Sequence, residues 1–122
     1  MHIIFGKLPE LEEKYTVLEL DTISIGNTGT EYTAYCVIEN IPLEEMPAVD
    51  TLKNLHAELM QQYRARKWAR CEAIIGQLTG KWGREMDSFY IELATRITGL
   101  KMQILDNTWT GVIKKPTSLT ES

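Results

Sequence analysis

Arg64, Arg66, Lys67 and Arg70 fall in a seven-residue window of the segment YRARKWARCEAIIGQL, beside Tyr63 and Trp68. Cationic side chains at this density can do two kinds of work. They can bind carboxylates on a partner protein, for which the planar guanidinium fork suits bidentate contact. They can also neutralise the phosphates of a nucleic acid while an exposed aromatic ring stacks on a base. Lys81 and Arg84 extend the run, so residues 64–84 hold six basic side chains against one acid, Glu72. Tyr63 and Trp68 lie on an apolar helical stripe, which assigns both rings to the core and removes the stacking platform. Arg64, Arg66, Lys67, Arg70, Lys81 and Arg84 therefore point first to an acidic protein surface, and second to nucleic acid contacted through the same residues.

The charge of the whole chain weighs against a polyanion. It is −4 over 122 residues. Residues 1–50 carry ten acids and two bases, and residues 51–122 carry seven acids and eleven bases. Two oppositely charged halves either present separate partner surfaces, including head-to-tail contact between copies, or face each other within the fold. Strand edges at HIIF or AYCVIE offer a different self-association, by pairing across a two-fold axis.

Other groups capable of chemistry are sparse. His56-Ala57-Glu58 is similar to the opening of a zinc deaminase signature, but the PCxxC that completes such a site is absent. His2 and His56 are the only histidines, so a metal centre would have to gather ligands from distant segments; neither a metal nor another cofactor is expected. His56 reads as a helix residue at the edge of the core. Cys36 falls mid-strand and Cys71 at a small-residue position between helices, so both read as buried, unreactive thiols in a reducing compartment. Adjacent acids at Glu12/Glu13 and Glu44/Glu45 read as solvated loop charge. The glycines of GNTGT lack the lysine and helix start of a phosphate loop. The expectation is a protein that is not an enzyme.

The elements that must hold these residues follow from periodicity. HIIF, YTVLELDTISI and EYTAYCVIEN are rich in β-branched and aromatic residues and read as strands. GNTGT reads as the hairpin loop between the last two, and KLPELEEK as a polar loop or single helical turn. Pro42 and Pro47 make IPLEEMPAVD a joint, with Asp50 placed to cap the next helix. Leu52, Leu55, Leu59 and Tyr63 recur at helical spacing, as do Trp68, Cys71, Ile75, Leu78 and Trp82 after a break near Arg66. Two glycines in GKWGRE end that second helix, Asp87 can cap a third, and Phe89, Leu93, Ile97, Leu100 and Ile104 mark its buried stripe. DNTWTGVI reads as a turn and short closing strand, and residues 116–122 as a disordered tail.

The predicted architecture is a single α+β domain over residues 1–115. A three-stranded antiparallel meander (1–41) precedes three α-helices (50–105). No apolar run is long enough to span a bilayer and no signal peptide is evident, so a cytoplasmic location is expected.

The helical hairpin resembles one tetratricopeptide repeat. Tyr63 and Trp68 match its aromatic pair at the helix turn, Cys71 its small inter-helix residue, and Ile75 and Leu78 its large apolar positions. Arg66 stands where that family usually has glycine, and no proline closes the unit. The resemblance implies a non-catalytic protein-interaction scaffold or small adaptor, with the sheet covering a face that a neighbouring repeat would otherwise cover. In KYTVLELDTI, AYCVIENIP and GKWGREMDSFY the chain also resembles small proteins of tailed phages that infect marine cyanobacteria.

Overall fold

Strand-forming sequence in the first third folds as β1 (His2–Phe5), β2 (Thr16–Ile25) and β3 (Thr30–Ile38). The computed structural model describes residues 2–25, 30–105 and 109–115. β3 lies between β1 and β2 and runs antiparallel to both, which gives the three-stranded antiparallel sheet that the sequence predicts. β1 and β2 consequently point the same way, and the chain between them crosses over through α1 (Pro9–Lys14), with Pro9 at its start. The predicted hairpin loop falls mostly on residues 26–29, outside the described residues, as does the predicted tail at 116–122. The turn and closing strand expected over 106–113 begin on residues 106–108, outside the described residues; the strand present is β4 (Ile113–Lys115), which shares only Ile113 with that segment and pairs parallel to the end of β2.

A bulge in β2 sets up the contact between sheet and helices. Glu19 pairs with Tyr35 and Thr22 with Thr33, so Leu20 and Asp21 together oppose Ala34. The extra residue keeps Leu18, Leu20 and Ile23 on the face shared by Ala34 and Cys36. It also turns the Asp21 carboxylate toward the helices, where Arg96 binds both of its oxygens at 2.8 and 3.2 Å.

Three helices cover that face: α2 (Val49–Arg64), α3 (Trp68–Leu78) and α4 (Asp87–Leu100). α2 and α3 pack antiparallel, with Cys71 Sγ 4.0 Å from the Leu59 carbonyl oxygen. Leu18, Leu20, Cys36 and Ile38 from the sheet join Leu59, Met60, Ile74, Leu78, Leu93 and Ile97 from the helices in one buried cluster. Among the described residues, no helix is long and apolar enough to cross a membrane.

Helix ends depart from the sequence expectations. The proline-bounded joint forms a 3-10 helix (Leu43–Ala48), and α2 starts at Val49, so Asp50 lies inside its first turn and does not cap it. α3 stops at Leu78, and Trp82 reaches the core from a separate turn. Asp87 caps nothing in its own helix; its Oδ1 accepts a 2.8 Å hydrogen bond from the Gly80 N–H. α4 ends at Leu100, one residue after Gly99, and Ile104 lies fully exposed beyond it instead of in the buried stripe.

Candidate functional site

The turn between α2 and α3 is a Schellman motif. The Arg66 N–H bonds to the Tyr63 carbonyl at 3.1 Å and the Lys67 N–H to the Gln62 carbonyl at 3.0 Å. Such a cap needs a left-handed residue, and Arg66 supplies it at φ 62°. This is the position where the resembled family carries glycine. An L-residue costs about 1–2 kcal/mol there, which the side chain helps to offset. The guanidinium of Arg66 sits 5.4 Å from the centroid of the Trp109 ring and donates to the carbonyls of Trp109 at 3.3 Å and Leu105 at 3.5 Å.

The aromatic residues of the corner pack against one another. Tyr63, Trp68 and Trp109 form a closed triad of edge-on contacts, with centroids 5.9, 5.5 and 5.7 Å apart. Gly111 fits beneath it, since a Cβ there would come 3.1 Å from the Tyr63 ring. Tyr63 is buried and Trp68 half-buried, as the apolar stripe requires.

The remaining cations of the predicted site divide into three groups. Arg64 forms an ion pair with Glu19 on β2, and Arg70 Nε donates to Glu58 Oε2 at 2.7 Å, a bond that holds the Glu58 carboxyl below its usual range. Lys67 is exposed, with no carboxylate in ion-pair range among the described residues. Lys81 and Arg84 lie beyond the far end of α3, which at 1.5 Å per residue separates them from the corner by about 16 Å. The structure therefore brings Arg64, Arg66, Lys67 and Arg70 together and leaves Lys81 and Arg84 apart. Arg64–Glu19 and Arg96–Asp21 also join the acidic and basic halves of the chain within the fold.

Two residues at the corner escape the sequence reading. Met102 and Ile104 are almost entirely exposed and lie three residues and one residue before Leu105, whose carbonyl Arg66 holds. Ile104 fits the helical period of α4, which hides it among core positions. Gly99 is the only local signal that the helix stops first.

A second constellation sits in the core. His56 is only 2% exposed and its ring is hydrogen-bonded on both sides. The bonds run in one direction: Trp82 Nε1–H donates to Tyr90 Oη at 3.1 Å, Tyr90 O–H to His56 Nδ1 at 3.0 Å, and His56 Nε2–H to the Glu19 carbonyl at 2.5 Å. This order fixes a neutral imidazole with its proton on Nε2. Burial lowers its pKa to about 4. His56 is thus a central core residue, not one at the core's edge.

Trp82 enters this chain from a left-handed turn in which Trp82, Gly83 and Arg84 have φ of 58°, 59° and 67°. Glu45 Oε1 fastens the turn by accepting the Trp82 backbone N–H at 2.6 Å. Complete burial of the indole helps to offset the backbone strain.

Burial pushes the thiols of Cys36 and Cys71 up to about 11, so both stay protonated at neutral pH. Both ring nitrogens of His56 are already engaged. Among the described residues no group of three or more His, Cys, Asp or Glu side chains could hold a metal ion. Comparisons with family models, curated proteins and solved structures give no match.

Proposed function

We propose that this chain is a non-catalytic protein-interaction module that docks an acidic, partly apolar protein surface through the α2–α3 corner. One observation carries this reading: the exposed Ile104 and Met102 stand beside the basic turn, giving the corner an apolar anchor next to the open charge of Lys67. Protein interfaces combine an apolar centre with a polar rim in this way. Arg64, Arg66 and Arg70 hold the surface rigid through their bonds within the fold, and Lys81 with Arg84 forms a separate, more distant patch. The resemblance of the hairpin to a tetratricopeptide unit agrees with a scaffold role. Nucleic acid is the weaker alternative, because stacking would require breaking the Tyr63–Trp68–Trp109 triad.

The test is capture from nuclease-treated lysate of the source cell, comparing wild type with Lys67→Glu and Ile104→Asp. A protein retained after nuclease, weakened by Lys67→Glu in a salt-dependent manner and lost with Ile104→Asp, supports the proposal. Binding that disappears with nuclease, or that neither substitution changes, overturns it.

A further inference from the structure

β1 leaves one margin of the sheet open. It lies outside β3 in the strand order, and among the described residues no strand pairs with its outer edge. The 2.9 Å bond from the Gly6 N–H to the Thr33 carbonyl fixes the parity of the ladder. Backbone groups of His2, Ile4 and Gly6 face β3, while those of Ile3 and Phe5 face outward. The side chains of these same two residues lie on the helix-covered face, opposite Cys36 and Ala34. They are nevertheless 47% and 48% exposed, and they border an open cleft of about 350 Å³ with Leu20, Ile23 and Phe89. β1 carries no lysine between His2 and Phe5, so its edge lacks the charge that commonly discourages strand addition.

We propose that the outer edge of β1 pairs antiparallel with β1 of a second copy of this chain, about a two-fold axis at Ile4, joining two four-stranded sheets into one of eight strands. Two features select a second copy as the occupant. An axis at Ile4 sets Ile3 of each copy opposite Phe5 of the other, and these are the residues whose N–H and C=O groups face outward. Each such pair exchanges two backbone hydrogen bonds and brings the two half-exposed side chains together on one face.

Charge supplies the second feature. At one end of β1, Lys7 lies 6.0 Å from the Tyr35 ring centroid and makes a long, exposed 3.9 Å ion pair with Glu12, which leaves it open to a second carboxylate; at the other, Glu39 holds His2 at 3.0 Å. Antiparallel pairing places the Lys7 end of each copy against the Glu39 end of the other, and a self-complementary patch of this kind is what a two-fold interface requires. The edge supplies four residues, against about 20–30 a side in a stable interface. The dimer is therefore weak and depends on concentration. It does not draw on the α2–α3 corner.

The experiment pairs sedimentation equilibrium with amide hydrogen exchange on the full chain, over a roughly hundredfold concentration range reaching the millimolar scale. The expected result is a mass that rises toward the dimer and stops there. Exchange at the Ile3 and Phe5 amides should slow by about tenfold where nine-tenths of the protein is dimeric, with no concentration dependence at Ile4 or Gly6. Phe5→Lys should abolish both effects while Lys67→Glu leaves them intact, which separates this surface from the corner. If Phe5→Lys does not fold, the wild-type exchange pattern decides. A monomer at every concentration overturns the proposal. So does a mass that grows past the dimer with Ile3 and Phe5 amides unaffected, the signature of head-to-tail assembly.

Discussion

Acidification from pH 7 to pH 4 should destabilise this protein through His56 before its carboxylates titrate in number. In the unfolded chain the imidazole binds a proton near pH 6.5; in the fold, burial lowers that value to about 4. The unfolded state therefore holds more protons between these limits, and stability falls as pH falls. The contribution is fully present above pH 6.5, diminishes through the window, and is lost below about pH 4. A difference of about 2.5 pKa units amounts to about 3 kcal/mol over the whole window, of which about 2 kcal/mol is gone by pH 5. The geometry gives the same sign. Protonation of Nδ1 would put a donor against the Tyr90 hydroxyl, which already receives the Trp82 indole N–H, and would strand a charge in a site that is 2% exposed.

The assay is urea denaturation at pH 7, 6 and 5 on wild type and His56→Gln, whose amide offers an acceptor and a donor without titrating. Wild type should lose about 2 kcal/mol more than the variant between pH 7 and 5. Should His56→Gln fail to fold, the imidazole resonances of the wild type answer the same question. They should stay those of the neutral ring protonated on Nε2 down to pH 5. A His56 midpoint above pH 6, or the proton on Nδ1, would refute the hydrogen-bond order assigned from the fold.

Arg84 sits in the left-handed region at φ 67° with its side chain 81% exposed, so Arg84→Gly should raise stability. The gain is about 0.5–1 kcal/mol, the left-handed penalty less the extra unfolded-state entropy of glycine, and a shift in urea midpoint at constant slope would show it. Arg96→Met should cost about 3–5 kcal/mol, because it leaves the Asp21 carboxylate largely buried without its cation. Asp21→Asn in that background should recover a substantial part of the loss, which a double-mutant cycle by thermal unfolding measures.

Alternation and helical period carry most of the architecture, because both report which residues face a core. The antiparallel sheet, the break near Arg66 and the buried Tyr63, Cys71 and Leu93 all follow from that patterning. Helix ends do not, since each depends on partners distant in sequence. α3 gives way to the left-handed turn where Glu45, 37 residues before Trp82 in sequence, accepts the Trp82 N–H, and Ile104 keeps a helical spacing after the helix carrying it has stopped. The site divides in the same way. Spacing gathers Arg64, Arg66, Lys67 and Arg70 at one corner, but it is silent on which charges the fold uses. Those are set by Glu19, Glu58 and the carbonyls near Trp109, brought in by strand pairing and by helix packing. His56 is the extreme case. A lone histidine on a helix reads as peripheral until Tyr90 and the Glu19 carbonyl meet it from two other elements, so a buried polar residue gains its role only from the packing that pairs it.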